Sequence, residues 1–219
     1  MIRVAQCWDD GVVNDVRVAE ICRKYHAKAT FNINPGLRKA DERVTGWRFR
    51  DMFDVCGLSL KEMPEVYKGF KVASHTMHHM NADKGTVEAF VKEAVDARHF
   101  IEDTFGQDAP GFAWPCGVTT DDTVKALTDA GFAYGRTTVN VPQVLPVAEP
   151  LRLHSNCHFL NPNFWEIFET AKPCGVFYFW GHSYEMMNDP QLWAGYEEKI
   201  ARLSADPEVE WIDVVDIVR

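Results

Sequence analysis

Three of the eight histidines in this chain fall in one stretch, "SHTMHHMN" (74–81). His75 and His79 are four residues apart, and on a turn of helix two imidazoles at that spacing share a face. Such a pair can grip one divalent ion. His78 points elsewhere on the same wheel and is left out of the metal site. A second stretch, "CWDDG" (7–11), sets Asp9 beside Asp10 at the end of an apolar run. Like charges so close raise each other's pKa. Adjacent acids are common on solvated loops, so the pair alone proves little. "PCG" (115–117) and "GHSYE" (181–185), with His182, are two further clusters of polar and turn residues. "HSNCH" (154–158) has the look of a metal site, but His154, Cys157 and His158 alternate along a strand and its following loop and are expected to be structural, or to line the rim at most. A nucleophilic role for the Cys116 side chain would need an activating base or a positive surrounding, and none is evident.

Short β-rich runs alternate with longer helical patterns and carry these clusters. The strands expected are 2–8, 28–33, 70–74, 111–114, 132–138, 151–155, 175–182 and 209–215. Helical periodicity runs through 13–25, 86–106, 120–131, 162–172 and 189–205. The run "GVFYFWGH" is too densely apolar to alternate, which predicts a strand buried on both faces. Residues 37–65 are the least regular part, rich in charge with Trp47 and Phe53, and are expected to form a loop excursion with one or two short helices.

Strands alternating with helices predict an α/β fold with a mostly parallel sheet. Roughly seven or eight strands in a chain of this length favour a distorted or incomplete (β/α) barrel related to the TIM barrel. One domain over 1–219 is expected. The four clusters "DDG", "HTMHH", "PCG" and "GHSYE" each follow a predicted strand. In a parallel barrel those ends converge on one rim, where active sites are built.

Formal net charge is −9, which argues against nucleic-acid or anionic-membrane surfaces. No apolar run reaches the ~18 residues that span a bilayer. The first residues, "MIRVAQCWDDG", lack the basic, apolar and small-residue regions of a signal peptide, so a cytoplasmic location is expected. Six scattered cysteines without a C-x-x-C pair read as free thiols. Composition says nothing about oligomeric state.

In order and in strand context, "CWDDG", "SHTMHH", "FAWPCG" and "FWGHS" resemble the motifs of the polysaccharide deacetylases, the NodB-homology or carbohydrate esterase family 4 group. The resemblance runs from residue 4 to about 185. It implies that Asp9 is the catalytic base and that Asp10, His75 and His79 bind the metal. Zn²⁺ suits such an N₂O set, with Co²⁺, Ni²⁺ or Mn²⁺ as alternatives. Metal-bound water, deprotonated by Asp9, would attack an acyl carbonyl. The Cys116 backbone N–H would help hold the oxyanion, and His182 would protonate the leaving amine. Trp114 and Tyr184 lie near these motifs and could line the rim against substrate, with Trp180 a weaker candidate.

Two features depart from the family pattern. Ala113 stands where the best-known members carry an arginine that orients the base, and the usual fourth-motif Asp-Trp is not evident after "GRTT". Arg136, at the end of the fifth strand, could supply the guanidinium; a surface ion pair is the ordinary alternative. The function expected is removal of an acetyl group from an N-acetylated, less readily an O-acetylated, saccharide. Hydrolysis of small non-sugar amides or cyclic imides is the rival, and a non-catalytic carbohydrate-binding protein on a decayed fold is the third reading. With no export signal, a small acylated substrate is favoured over a polymer.

Overall fold

The computed structural model describes residues 1–219. Its central strand, β1 (Ile2–Asp9), is buried along nearly its whole length. After α1 (Asp15–Lys24) and β2 (Thr30–Ile33) the chain leaves the sheet for an antiparallel hairpin, β3 (Val44–Phe49) and β4 (Phe53–Gly57). It returns through the short α2 (Met63–Val66) to β5 (Lys71–Ser74). Next come α3 (Val87–Phe105), β6 (Gly111–Ala113), α4 (Asp121–Asp129) and β7 (Tyr134–Asn140). β8 (Leu153–Ser155), β9 (Cys157–His158), α5 (Phe164–Ala171), β10 (Val176–Gly181), α6 (Pro190–Ala205) and β11 (Val209–Trp211) complete the chain.

The main sheet runs β8-β7-β6-β5-β2-β1-β10-β9, with every pair parallel. β11 shares one flank of β1 with β2: Ile2–Val4 pair with β11, and Cys7–Asp9 with β2. The sheet curls into a nearly closed barrel, as the alternation of strands and helices predicts. Its seam lies between β8 and β9, which are joined by the single residue Asn156. There the Asn156 N–H donates to the Tyr178 carbonyl (2.7 Å), and the Tyr178 N–H donates to Asn156 Oδ1 (2.7 Å).

β10 is buried at every position, the outcome expected of its unbroken apolar run. Phe177 and Phe179 pack beneath α5 and α6 with Phe164 and Phe168. Fully buried aromatics of this kind each contribute about 1.5–3 kcal/mol. The helix starts follow the sequence: Thr86 caps α3 and Thr120 caps α4, each through its side-chain oxygen.

Two regions differ from expectation. Residues 37–65 contain a β-hairpin besides a short helix. Its turn residues Arg50 and Asp51 both have positive φ (53° and 54°). They are the two central residues of a turn closed by the Met52 N–H on the Phe49 carbonyl (3.2 Å), within a three-residue loop. Two successive left-handed residues are the geometry usually written with Asn-Gly. The last strand ends at Trp211, and Val214–Ile217 turn into a 3₁₀ helix.

Candidate active site

Asp9 and Asp10 close β1, and the backbone turns sharply at Asp10 (φ 80°). Asp10 is thereby presented to the loop after β5. That loop is not helical, so the expected turn of helix for His75 and His79 is absent. Left-handed residues Thr76 (φ 60°) and His79 (φ 57°) instead fold the chain back on itself. The two imidazoles meet edge to face with centroids 4.8 Å apart. Neighbouring elements pin the loop. The Met77 carbonyl accepts from the Gly36 N–H (2.9 Å), and Gly36 is required because a Cβ there would lie 2.5 Å from His78 Nε2. His78 faces away to Glu93 on α3, which receives both its N–H and its Nδ1 at 2.8 Å. It stands outside the metal set because Glu93 holds it, and not because of a helical wheel.

His75 Nε2 and His79 Nε2 lie 3.7 and 3.8 Å from Asp10 Oδ1. These separations are too long for hydrogen bonds. Donor atoms about 2.0–2.2 Å from one tetrahedral ion would be roughly 3.3–3.6 Å apart, so the set is close to what an ion would require. His75 Nδ1 donates to the Ala113 carbonyl (2.8 Å). This bond fixes the tautomer and leaves Nε2 as a lone pair. Burial holds His75 near a pKa of about 4, hence neutral, against the pull of Asp9 and Asp10. Asn34 Nδ2 donates to Asp10 Oδ1 (3.2 Å), and Arg38 donates to the Asp10 carbonyl and to Asn34 Oδ1. Asp10, His75 and His79 together could hold a divalent cation.

Asp9 faces the other way, into a buried ion pair. Arg136 on β7 donates through Nη2 to Asp9 Oδ2, and Asn32 on β2 donates to Oδ1 (2.7 Å). Arg136 is 1% exposed. It is no surface pair: its guanidinium lies over the Trp180 ring, 4.7 Å from the centroid, in the arrangement of a cation–π contact. Burial alone would raise the Asp9 pKa; Arg136, with His75, His182 and Asn32, outweighs it and holds the carboxyl well below its ordinary range.

His182, just after β10, places Nε2 3.8 Å from Asp9 Oδ2. Burial opposes its charged form, but Glu185 and the fields of Asp9 and Asp10 prevail and its pKa is raised. Cys116 turns at φ 54° on the rim. These residues surround one cavity of about 380 Å³ that Leu37, Trp47, Thr138, Trp180 and Tyr184 also line. Trp47 and Phe49 of the hairpin pack edge-on against Tyr184 (centroids 5.5 and 5.3 Å). Trp114 belongs to the cavity wall but offers no exposed ring to the rim. It is fully buried, stacked on Phe90 at 5.5 Å, with Nε1 donating to the Leu151 carbonyl (2.7 Å).

Sequence reasoning missed Asn32, Asn34, Arg38 and Trp47 as residues of the site. The string "FNIN" (31–34) carried a signal for two of them, since polar residues alternating along a strand beside two acids can reach both.

The sequence model described as polysaccharide deacetylase matches residues 2–135. The chain belongs to the polysaccharide deacetylase family. It is therefore of a hydrolase family, and "CWDDG", "SHTMHH" and "FAWPCG" all fall inside the matched residues. Solved structures repeat the fold. A protein from Mycobacterium smegmatis described as a polysaccharide deacetylase superposes with a TM-score of 0.68 at 16% identity, over 99% of this chain and 88% of that one. A family 4 acetyl xylan esterase from Clostridium thermocellum, in complex with a cobalt ion, gives 0.58 at 16% identity, over 98% and 89%. The Streptococcus pyogenes deacetylase PplD, in complex with acetate, gives 0.56 at 24% identity, over 68% of this chain and 61% of that one. No curated protein matches the sequence. No helix is long and apolar enough to cross a membrane.

Proposed function

We propose that this polysaccharide deacetylase family member is a metal-dependent hydrolase that removes an acetyl group from an N-acetylated saccharide. One observation carries the reading: Asp10 Oδ1 and the Nε2 atoms of His75 and His79 converge in the same cavity as the Asp9–Arg136 pair and His182. Asp10, His75 and His79 would hold the ion, Zn²⁺ suiting the donor set best among Zn²⁺, Co²⁺, Ni²⁺ and Mn²⁺. Bound there, the ion would polarise an acyl oxygen and acidify water.

The side chains divide the remaining work. Water adds to the acyl carbon and gives a proton to Asp9, which Arg136 and Asn32 keep ionised and oriented. The Cys116 N–H, on its left-handed turn at the rim, would donate to the developing oxyanion. The C–N bond breaks as His182 Nε2 hands a proton to the departing amine. Acetate and a free amine leave. Tyr184 and Trp47 offer aromatic surface against which a sugar ring can rest.

A cavity of about 380 Å³, with Trp47 of the hairpin in its lining, favours a small substrate. The same cavity would suit a compact non-sugar amide or cyclic imide, which keeps that rival alive. We further propose that residues 1–219 act as one domain. The deciding experiment compares acetate release from N-acetylated sugars and sugar nucleotides, O-acetylated sugars, and ring opening of cyclic imides. Each is run on metal-loaded and chelated protein. Acetate release from the N-acetylated set, lost on chelation, is expected. Turnover of cyclic imides alone would overturn the saccharide reading, and full activity after chelation would overturn the metal.

A further inference from the structure

His182 is followed by a single 3₁₀ turn, Ser183–Met186. In such a turn side chains three apart eclipse one another, and this brings Glu185 beneath the His182 ring. Glu185 Oε2 accepts the His182 backbone N–H (3.0 Å) and lies 3.4 Å from His182 Nδ1. That Nδ1 is buried and makes no hydrogen bond of normal geometry, and the Glu185 carboxylate is its one acidic neighbour within 4 Å.

A second imidazole meets the same oxygen. His158, the last residue of β9, places Nε2 2.9 Å from Glu185 Oε2. Its tautomer is set from behind, because the Leu160 N–H donates to His158 Nδ1 (3.3 Å). A ring nitrogen that accepts a backbone N–H carries no proton, so in the neutral ring the proton sits on Nε2, facing Glu185. The ring is held edge-on to Trp180 (centroids 5.0 Å, 85°). Burial would raise the Glu185 pKa, but contact with His158 and His182 brings it to about 2. A carboxylate so held can only accept protons from both rings.

We propose that Glu185, anchored by His158, is the positioning residue for His182: it takes the Nδ1–H and so turns Nε2 toward Asp9 and the cavity. The inference deepens the proposed deacetylase reading, since it is there that Nε2 has a proton to deliver. It gives a use beyond aromatic packing to the histidine at 158 of "HSNCH". It also supplies, from within the motif's own turn, a carboxylate partner that is not evident after "GRTT".

The test has a readout independent of turnover. In protein labelled with ¹³C,¹⁵N-histidine, the His182 signal is identified by its loss in His182→Gln. Its ring couplings then report which nitrogen carries the proton. Read at a pH high enough to leave the ring neutral, the wild-type proton should sit on Nδ1, which leaves Nε2 as the nitrogen that gains, and in the charged ring delivers, the second proton. Glu185→Ala should move the proton toward Nε2, whereas Glu185→Gln, whose amide oxygen still accepts, should keep it on Nδ1. On an acetylated substrate Glu185→Ala should lower kcat by about 10–100-fold, the range for lost outer-shell support, with KM changed less than about threefold. Glu185→Gln should recover most of that loss. His158→Phe, which leaves the Glu185 turn intact, should give a smaller fall of the same kind. An Nδ1–H signal that persists in Glu185→Ala would overturn the proposal, as would equal kcat losses in the Ala and Gln variants. Should no acetylated substrate be turned over, the deacetylase reading falls while the tautomer result still decides the role of Glu185.

Discussion

Asp9 and Asp15 lie six residues apart, both buried, and they behave as opposite acids. Asp9 is 2% exposed and Asp15 is fully buried. Desolvation therefore pushes both pKa values up. Asp9 meets a guanidinium and ends far below its ordinary value. Asp15, the first residue of α1, meets neutral donors: Tyr67 Oη donates to Oδ2 (2.7 Å), Ser183 Oγ to Oδ1, and the Val12 backbone N–H adds a weaker contribution. Burial dominates there, and its pKa rises to about 7. The partner, and not the depth of burial, decides which acid carries charge at neutral pH. One acid is thereby fixed as a proton acceptor beside the cavity. The other ties α1 to the turn that carries His182.

The sharpest way to break this comparison is Asp9→Asn. Metal content should be unchanged, while turnover of an acetylated substrate falls by about 10²–10⁴-fold, the range for a general base. Near-normal turnover in this variant would remove Asp9 from the chemistry.

Arg136→Gln tests whether the guanidinium sets the difference. Removing one partner of a buried pair costs about 3–5 kcal/mol, to be read from urea midpoints at pH 7. The depressed Asp9 pKa contributes stability above the ordinary carboxylate value, lost as pH falls through the folded one. The variant should lack that acid-side loss, and the acidic limb of its pH–rate profile should move upward. A limb that stays in place would mean that Asp9 is held ionised by something other than Arg136.

Asp15→Asn probes the opposite sign. A raised folded pKa means full stability below about pH 4, lost as pH rises through about 7. Over that window Asp15 should lower the unfolding free energy by up to about 1.4 kcal/mol per pH unit. Comparing midpoints at pH 5 and 7, this slope should be shallower in Asp15→Asn. An identical slope in both proteins would show that Asp15 is ionised in the fold despite its burial.

Tyr67→Phe should have the smallest effect. Loss of one hydrogen bond is expected to cost about 1 kcal/mol at pH 5. Because that bond lowers the Asp15 pKa, the loss of stability with rising pH should extend to higher pH in the variant, with its onset near pH 4 unchanged. A shift toward lower pH would contradict the assignment of Tyr67 as donor.

The barrel was legible because its signals are local and repeated. Apolar runs of strand length alternate with capped helical periods, and the polar clusters end the strands that place them. The conformation of the His75–His79 loop was not, since the spacing that suits a helical face is also met by two left-handed residues, and φ is not written in "HTMHH". The hairpin hid for a similar reason: Arg50-Asp51 makes a turn that ordinarily announces itself as Asn-Gly. Trp114 was ambiguous because a large aromatic at a strand end serves the core and the rim equally well; it belongs to the cavity wall while its buried ring stacks on Phe90, 24 positions earlier. Arg136 was legible as a candidate by its strand position alone; its depth was not, because its counter-charge lies at the far end of the sequence.

The seam at Asn156 makes the molecule a split ring in place of a hoop. A hoop of paired strands has a fixed girth, because widening it anywhere must break a rung of the ladder. At the slit no ladder joins the two end strands. The gap is bridged by the chain itself through Asn156, by the amide clasp between Asn156 and Tyr178, by the Trp180 Nε1 bond to Asn140 Oδ1 (3.0 Å) and by Arg136 over the Trp180 ring, so a strain there loads side-chain contacts before it breaks a rung. β7 and β10 flank the end strands at that slit and carry Arg136 and the approach to His182, whereas β1 and β5, which carry Asp10 and His75, lie on the unbroken arc. Any such strain would therefore shift Arg136 and His182 relative to Asp10, His75 and His79 without disturbing those three among themselves.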